Sequence, residues 1–493
     1  MHILLIYPEI PHTFWSFKYA LKFVSKKSSH PPLGLVTIAA MLPEWWEKKL
    51  VDLNVSSLKN EDLEWADYVF LSAMTIQRNS AMEIIDRCKS INSTIVAGGP
   101  LFTEEPENFP DVDHLILNEA EITLPSFISD LGKGKAKNIY QTEEFPDLND
   151  VVVPMYSLLN HKKYATMSIQ LTRGCPYNCD FCEITVLFGQ KVRYKSSDQI
   201  IMELDQLYEC NWKNEVFFVD DNFIGNRRFL KTDLLPKLTR WMEDRNYPFH
   251  FTTEVSINLA DDETLLNMMV KAGFRTVFVG IETPSEESLL ECGKNQNNNR
   301  NLVESIHYIQ KRGLLVMGGF IVGFDSDTPS IFSRQIEFIK TSGIITAMVG
   351  LLNAPKKTRL WERLHRENRL TSDNMSGNNT DFTINFIPKM NIDDLQAGYR
   401  RILEAIYSTK PYYRRVKGSI LRYQKNVHLK SRISWTDLKA LIRSMFVLGM
   451  FNKGRRAYWR LVIWTLLRKP RAFSLAVRYA IFGYHFRKIY GIR

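Results

Sequence analysis

Short apolar runs alternate with helical segments along most of the chain, and this alternation limits the fold more than any other feature. Near the N-terminus, HILLIYP, YVFLSAM and STIVAGGP predict buried strands, and NSAMEIIDRCKSI between two of them predicts a helix. Strands that are separated by helices form parallel sheets with helices on both faces. We therefore expect an α/β protein whose residues 1–135 form a doubly wound parallel sheet.

A second alternating series follows residues 136–165, a polar stretch that we interpret as a linker over the surface. The six apolar runs of this series begin with ATMSIQLT and end with ITAMVGLL, and helical segments separate them. Such βα units predict a partial (β/α)6 barrel over residues 166–390, with its chemistry at the carboxyl ends of the strands. Residues 391–493 have a helical pattern, and we expect them to form a C-terminal helical extension.

Three of the six cysteines lie within eight consecutive positions, in the segment LTRGCPYNCDFC. A structural zinc site normally needs four protein ligands, and no further Cys or His pair stands at zinc spacing. The spacing of Cys175, Cys179 and Cys182 instead fits a loop around one [4Fe–4S] cluster, whose fourth iron stays open to a small ligand. Zinc or structural thiols remain the alternative at this point. The other cysteines stand alone, so no disulfide framework is predicted.

This motif, with Phe181 before its last cysteine, resembles that of the radical S-adenosylmethionine (radical SAM) enzymes. The resemblance implies that Cys175, Cys179 and Cys182 hold the catalytic cluster and that SAM binds the open iron through its amino and carboxylate groups. It also implies an electron donor such as flavodoxin or ferredoxin, because the reduced clusters of this family cleave SAM to a 5′-deoxyadenosyl radical.

Polar residues and a glycine at the ends of the later strands are candidates for binding SAM. The candidates are Asp220, Asp221, Asn222, Glu254, Glu282 and Gly319. The resemblance implies that the acidic and amide side chains hold the amine or the ribose and that the glycine lies against the adenine. Arg193 and Lys195 are candidates for pairing with the SAM carboxylate. The alternatives are helix capping by the polar residues, easier barrel packing at the glycine and solvated charges for the two cations.

The front domain resembles the cobalamin-binding domains that precede some radical SAM barrels. The similar segments lie at strand ends, and the candidate cobalamin-binding residues are Ser72, Thr75, Gly98 and Gly99. The chain departs from many cobalamin proteins because it lacks the Asp-x-His-x-x-Gly signature, whose His ligates cobalt from below; DLNV has Asp52 but no His. The resemblance implies cobalamin with its nucleotide tail in the sheet and with no His on the lower cobalt face.

Further strings, among them FFVDDNFIGN and GIETPSEESL, resemble a subgroup that includes the hopanoid C-2 methylases. This resemblance implies an enzyme that transfers a methyl group from methylcobalamin to an unactivated carbon of a small-molecule or lipid substrate, such as an isoprenoid. A cobalamin-dependent radical SAM enzyme that performs a non-methylating rearrangement or an oxidative cyclisation is the alternative. A regulator without turnover is a third hypothesis. Nothing in the sequence identifies the substrate.

The net charge of +10 is concentrated at the C-terminus, where residues 410–493 contain 21 Lys or Arg and one acid, Asp437. Aromatic residues interleave with these cations, and the apolar runs are too short to span a bilayer. Such segments suit helices that lie in the lipid headgroup layer. Helices packed on the barrel are the second interpretation, and nucleic-acid binding is the least favoured one. The N-terminus has no signal-peptide pattern, so we expect a cytoplasmic protein, peripheral on the inner face of the membrane.

Overall fold

The N-terminal region is built on a parallel six-stranded sheet. The computed structural model describes residues 1–372, 375–424 and 435–492. The strands of the first sheet are β1 (His2–Tyr7), β2 (Glu47–Asp52), β3 (Tyr68–Ser72), β4 (Thr94–Gly98), β5 (His114–Ile116) and β6 (Ile139–Tyr140). Their order is β2-β1-β3-β4-β5-β6, and every neighbouring pair is parallel. The predicted doubly wound sheet is confirmed.

Helices cover both faces of this sheet. They are α2 (Leu33–Met41), α3 (Asn60–Trp65), α4 (Arg78–Ser90), α5 (Pro100–Glu104) and α6 (Ala120–Gly132), whereas the short α1 (Lys18–Leu21) packs into the core of the barrel. Successive residues of β1 point to opposite faces of the sheet. Leu4 and Ile6 pack into one core, whereas Ile3 and Leu5 pack into the other. Burial on both faces is the reason that these strands are continuous apolar runs in the sequence.

The stretch of residues 136–165 is more ordered than the linker that the sequence predicts. Its first part forms β6, in which Tyr140 pairs with Ile116 and is buried. Farther along, Tyr164 is buried too, and its hydroxyl donates to Asp52 at 2.8 Å. A two-residue edge strand is too short to produce an apolar alternation, so the sequence pattern does not reveal it.

A second sheet forms the barrel. The remaining strands are β7 (Met167–Ile169), β8 (Thr172–Arg173), β9 (Arg193–Tyr194), β10 (Glu215–Phe218), β11 (His250–Val255), β12 (Phe274–Glu282), β13 (Leu315–Val322) and β14 (Ala347–Leu351). Six of them form a parallel sheet in the order β14-β13-β12-β11-β10-β7, and β8 and β9 form a short antiparallel ribbon. Within the described residues the edge strands β7 and β14 do not pair, so the predicted partial barrel is open on one side.

Helices connect the barrel strands. They are α8 (Ser197–Glu209), α9 (Arg227–Phe229), α10 (Leu235–Asp244), α11 (Glu263–Ala272), α12 (Glu286–Glu291), α13 (Leu302–Lys311) and α14 (Ile331–Ser342). Two further helices do not connect barrel strands: α7 (Ile184–Phe188) lies between β8 and β9, and α15 (Arg359–Arg366) follows β14. Side chains of Ser196, Asp262 and Asn301 cap the first turns of α8, α11 and α13. These caps satisfy backbone N–H groups that the helices leave without a partner.

The described C-terminal helices close the open side of the barrel in part. They are α16 (Ile392–Tyr407), α17 (Thr409–Arg422), α18 (Trp435–Phe446), α19 (Arg455–Arg468) and α20 (Phe473–Ile489). Tyr407 donates to the carbonyl oxygen of Ala347 in β14 at 2.6 Å. Phe486 of α20 stacks on Phe14 with ring centroids 4.4 Å apart. The predicted helical extension is confirmed. No described helix is long and apolar enough to cross a membrane.

Candidate functional site

The three clustered cysteines lie in a loop that the β8–β9 ribbon holds. Gly174, directly before Cys175, has a φ of +87°, and a Cβ there would lie 2.8 Å from the carbonyl oxygen of Lys191. The left-handed backbone and this close approach both require glycine. The backbone N–H of Cys175 donates to the carbonyl of Gly189 at 3.3 Å. The Arg-Gly-Cys part of the motif therefore sets the direction in which the loop leaves the ribbon.

The thiols of this loop are partly shielded from water: Cys179 is buried, and Cys175 and Cys182 are half-buried. Burial raises the pKa of Cys175, Cys179 and Cys182, to about 12 for Cys182. Among the described residues, no three His, Cys, Asp or Glu side chains converge as the ligands of a single ion do. A [4Fe–4S] cluster binds each thiolate at a different iron, so its ligands do not have to converge on one point. The donor set therefore fits such a cluster, whose irons would stabilise the thiolate form.

Asp220 lies directly beneath the cysteine loop. Its Oδ1 accepts from the backbone N–H of Leu171 at 3.1 Å and from the hydroxyl of Thr172 at 2.7 Å. Its Oδ2 is buried and has no hydrogen-bond partner in the described part of the chain. Burial raises the pKa of this carboxyl to about 7. One oxygen of Asp220 thus anchors the loop, and the other is available to a donor on a ligand.

Asp221 follows β10, and Glu254 lies near the end of β11. Their side chains face a common space. Burial raises the pKa of Asp221 to about 7. Burial also raises the pKa of Glu254 to about 8, and the nearby carboxylates of Asp221 and Asp220 add to this effect. Like charges this close disfavour each other's ionisation, and a cation between them would reverse the effect. The arrangement therefore suits a cationic ligand such as the amine or sulfonium of SAM.

Asn222 connects two strand ends with the cysteine loop. Its Oδ1 accepts from the backbone N–H of Ser256 at 3.1 Å. The Ser256 hydroxyl donates to Asn258 at 2.7 Å, and the amide of Asn258 donates to the hydroxyl of Tyr177 at 2.7 Å. Because Tyr177 lies between two of the cluster cysteines, this chain of hydrogen bonds gives Asn222 a positioning role.

Glu282 pairs with a lysine that the sequence reasoning missed. Its Oε1 lies 2.7 Å from Nζ of Lys294, and a Cβ on Gly280 would lie 2.5 Å from the same oxygen. Burial alone would lower the pKa of Lys294, but the charges of Glu282 and Cys179 raise it. The side chain of the neighbouring Gln296 forms a hydrogen bond with the sulfur of Cys179. Lys294 and Gln296 lie in the Asn-rich loop that follows β12 and α12. The position of this loop beyond the carboxyl end of a barrel strand was the signal that could have identified them.

An apolar lining borders the open side of the barrel. The ring of Phe278 lies 2.7 Å from the point where a Cβ on Gly319 would be, so this glycine makes room for an aromatic ring. Trp15 packs edge-on against Phe278 with centroids 5.4 Å apart, and its Nε1 lies 3.2 Å from the sulfur of Met348. Gly319 therefore has a packing role here, in addition to the adenine contact expected from the sequence.

Arg193 and Lys195 differ from both interpretations made from the sequence. Arg193 donates to the two carboxylate oxygens of Glu119 at 2.6 and 3.0 Å. Lys195 is buried and pairs with Glu203 of α8. Each cation already has a carboxylate partner, so neither is a solvated charge and neither is free for the SAM carboxylate.

The four candidate cobalamin residues lie together at the carboxyl ends of β3 and β4. Gly99 has a φ of +94°, and a Cβ there would lie 2.7 Å from Oγ of Ser72. Gly98 has no room for a Cβ either. Thr75 donates to Glu104 at 3.0 Å. Small side chains at a strand end allow the close approach of a large ligand, so this edge fits cobalamin.

Asn54 stands where the cobalamin signature has its histidine, two residues after Asp52. Its amide donates to the carbonyl of Pro8 at 3.1 Å, and its Oδ1 accepts from the backbone N–H of Ile10 at 2.9 Å. The side chain is therefore occupied with the local backbone. This environment agrees with cobalamin that receives no His from this loop.

Charged side chains join the front domain to the cysteine loop. Arg173 donates to Glu119 at 2.5 Å and to Glu121 at 2.7 Å. Close by, burial and the charge of the neighbouring Glu104 raise the pKa of Glu183 to about 7. The candidate cobalamin edge and the candidate cluster loop therefore face each other across one contact.

Comparisons with known proteins match the two parts of the chain that carry these candidate sites. Residues 23–128 match the B12 binding domain, residues 169–339 match the Radical SAM superfamily, and residues 358–492 match a domain of unknown function, DUF4070. The chain is 39% identical over 490 residues to an uncharacterized methyltransferase of Synechocystis sp., which covers 99% of this chain and 91% of that protein. It is 33% identical over 478 residues to the hopanoid C-2 methylase of Rhodopseudomonas palustris, which covers 94% and 89%, respectively.

Two solved structures share the fold over nearly the whole chain. The cobalamin-dependent S-adenosylmethionine radical enzyme OxsB, with aqua-cobalamin bound, has a TM-score of 0.65 at 14% identity and covers 99% of this chain and 79% of its own. The radical SAM methyltransferase TsrM from Kitasatospora setae, with cobalamin and a [4Fe–4S] cluster bound, has a TM-score of 0.60 at 15% identity and covers 96% and 99%. The chain is thus an enzyme with SAM, a [4Fe–4S] cluster and cobalamin as its cofactors. It belongs to the family of cobalamin-dependent radical SAM methyltransferases.

Proposed function

We propose that this enzyme transfers a methyl group from methylcobalamin to an unactivated carbon of a lipid or isoprenoid substrate. When bound, the cluster and SAM supply the radical that activates the substrate, and cobalamin supplies the methyl group. The chain itself contributes the relative position of the two cofactor sites, protection from water and the shape of the substrate space.

The apolar lining at the open side of the barrel is the observation that supports an apolar substrate. Trp15 contacts both Phe278 and Met348 there; its Nε1–H points at the sulfur of Met348, and the amide of Asn379 lies 3.2 Å from the same sulfur. Such a surface gains free energy by covering hydrocarbon and offers little to a sugar or a peptide. The relative named hopanoid C-2 methylase, at 33% identity, adds support for a polycyclic lipid.

The side chains around the cysteine loop have separate proposed roles. Cys175, Cys179 and Cys182 hold the cluster. Asp221 and Glu254, with the Glu282–Lys294 pair, border the place of SAM, and the backbone at Gly319 lies toward its adenine. Asp220 and Asn222 are positioning residues, because their hydrogen bonds hold the loop and the next strand end.

The front domain is proposed to hold cobalamin over the barrel. Ser72, Thr75, Gly98 and Gly99 form the edge that receives it, and this edge borders the cysteine loop through Glu104. A flavodoxin or a ferredoxin is the proposed electron donor. A lipid substrate resides in a membrane, so we place the enzyme at the inner membrane face as a peripheral protein.

Anaerobic reconstitution of the full chain tests this proposal. The holoenzyme is incubated with SAM, a reductant and a lipid extract, and products are separated by mass spectrometry. We expect a lipid that is heavier by one methylene group, together with S-adenosylhomocysteine and 5′-deoxyadenosine. Formation of 5′-deoxyadenosine with neither S-adenosylhomocysteine nor a heavier lipid would contradict methyl transfer. That result would favour a rearrangement or an oxidative cyclisation, since only methyl transfer produces S-adenosylhomocysteine.

A further inference from the structure

One face of the C-terminal hairpin has no partner in the described part of the chain. We define this hairpin as α18, the short π-helical turn Val447–Phe451 that continues it, and α19. The exposed large apolar side chains of α18 are Trp435, Leu438, Ile442, Met445 and Phe446. They recur every three to four residues and therefore form one stripe along the helix.

The opposite face of α18 is firmly attached to the body of the protein. Ser444 is buried, and its hydroxyl lies 2.8 Å from that of Tyr458, so this contact joins α18 to α19 within the hairpin. Arg443 donates to the carbonyl of Lys22 and to the hydroxyl of Ser25, both at 2.7 Å. The exposure of the stripe is therefore a property of a packed helix and does not arise from a loosely held one.

The apolar surface continues beyond α18. Met450 and Phe451 are exposed at the turn, and Phe451 is 80% exposed. On α19, Ile463, Leu466 and Leu467 are exposed as well. Soluble proteins rarely leave so many large apolar side chains together in water, and such patches mark interaction sites.

Cations lie beside this apolar surface. Arg455, Arg456 and Arg460 line an open groove of about 560 Å³ together with Trp459 and Trp464. Among the described residues, none that lines the groove is acidic. The chain segment that contains the hairpin also has only one acid in residues 410–493. The groove therefore presents positive charge and aromatic rings next to exposed hydrocarbon.

We propose that this face of the C-terminal hairpin docks the enzyme on an anionic lipid bilayer. Apolar side chains enter the boundary between headgroups and acyl chains, guanidinium groups bind anionic headgroups, and tryptophan favours the same boundary. Charge complementarity selects this occupant over a second copy of the chain, because two copies would bring the three arginines of each against the other. A nucleic acid would leave Leu466 and Leu467 without a partner, since bases stack on aromatic rings.

The position of the hairpin suits the proposed function. This inference rests on that function, because docking on a bilayer serves an enzyme whose substrate is a lipid. The carbonyl of Lys22 and the hydroxyl of Ser25, which hold α18, belong to the same N-terminal segment as Trp15. Trp15 in turn contacts Phe278 and Met348 at the open side of the barrel. A single short segment thus links the docking face to the apolar lining.

Vesicle flotation of the reconstituted holoenzyme tests the docking. The vesicles are phosphatidylcholine alone or with phosphatidylglycerol. We expect binding to the anionic vesicles that weakens with added salt. Arg456→Glu/Arg460→Glu should lower the partition coefficient about tenfold or more, because each cation near an anionic surface contributes measurably to binding. Trp435→Ala/Phe451→Ala should lower it about tenfold by removing inserted apolar area.

Matched variants on the front domain serve as controls. Trp45 is 82% exposed, comparable with Trp435 at 79%, and Trp45→Ala should bind vesicles as the wild type does. Lys133→Glu/Lys135→Glu reverses two exposed charges far from the hairpin in sequence. This variant should have little effect on the partition coefficient. Equal binding of hairpin and control variants would overturn the proposal.

Other outcomes would also overturn it. No binding to either vesicle, or a concentration-dependent dimer that both hairpin variants abolish, would assign the face to a different occupant. Tight binding of a single-stranded RNA that competes with vesicles would do the same. Flotation needs no turnover, and methyl transfer can be assayed in detergent without vesicles. A failure of docking is therefore distinguishable from a failure of the proposed function.

Discussion

Arg173, two residues before the first cluster cysteine, donates to Glu119 of the front domain at 2.5 Å. The same carboxylate accepts from Arg193 at 2.6 Å, so one glutamate holds both strands of the β8–β9 ribbon. The side chain of Glu119 is only 3% exposed. Because the cysteine loop leaves directly from β8, the spacing between the two cofactor sites depends on this contact.

We predict that Glu119→Gln uncouples radical formation from methyl transfer. An amide cannot neutralise two guanidinium groups, so the ribbon would shift relative to the front domain. The ratio of methylated product to 5′-deoxyadenosine should fall about tenfold, as a loss of about 1.4 kcal/mol in positioning would produce. Product analysis on the same reaction mixture gives both quantities. Glu143→Gln, at an exposed position in the following segment, is the control, and an unchanged ratio in both variants would show that the contact is not a positioning device.

We predict that Cys179→Ala abolishes the cluster and leaves cobalamin binding intact. With two thiolates left, the loop cannot hold three irons of a [4Fe–4S] cluster. The visible absorbance of the cluster and the formation of 5′-deoxyadenosine should both be lost, while the cobalamin that copurifies after gel filtration stays the same. Cys210→Ala changes a half-buried cysteine at the end of α8 and should keep the cluster. Retention of a cluster in Cys179→Ala would contradict the ligand assignment.

We predict that Gly99→Ala weakens cobalamin retention and destabilises the front domain by about 1–3 kcal/mol. The added Cβ meets Oγ of Ser72 at 2.7 Å at a φ of +94°. Gly134→Ala separates these two causes, because it has a φ of +67° but open space around it. Denaturant unfolding measures the stability, and cobalamin absorbance after gel filtration measures retention. The account predicts that only Gly99→Ala loses cobalamin, and equal retention by the two variants would count against a cobalamin edge at this position.

We predict that Glu254→Gln stabilises the cofactor-free protein at high pH. Burial raises the pKa of Glu254 to about 8 in the folded state. Between the pKa of Glu254 in the unfolded chain and about pH 8, this carboxyl holds a proton in the folded form that it has released in the unfolded form. The free energy of unfolding therefore falls as the pH rises through this range. The amide does not titrate, and its advantage over the wild type should grow to about 4 kcal/mol at pH 8, at about 1.4 kcal/mol for each unit by which the pKa is raised. Thermal unfolding between pH 5 and 8 measures it; a constant difference, or the same gain in the exposed Glu209→Gln, would refute the explanation.

The regular parts of the fold were predictable from the sequence because strands that are buried on both faces appear in it as continuous apolar runs. The six barrel strands from Met167 to Leu351 are apolar runs at the predicted places, and the cysteine spacing indicated a cluster loop. The short strand Ile139–Tyr140 was not predictable, since two residues contain no periodicity.

The missed site residues share a physical reason. Lys294 and Gln296 lie in a loop whose composition suggests only solvent exposure, and they reach Cys179 because of where β12 ends. Arg193 lies close to the cysteines in sequence, but its partner Glu119 is 74 residues away, directly before α6 of the front domain. Pairings between distant charges depend on tertiary packing, and a single sequence does not contain that information.

Isotopic labelling of SAM tests whether the enzyme transfers a methyl group to a lipid carbon. The reconstituted enzyme is incubated with SAM whose methyl group is fully deuterated, and the lipid product is analysed by mass spectrometry together with the nucleoside products. For methyl transfer, we expect the lipid product to retain all deuterium atoms of the methyl group. We also expect S-adenosylhomocysteine and 5′-deoxyadenosine to form in equal amounts. A product without the label, or turnover that yields 5′-deoxyadenosine alone, would contradict methyl transfer.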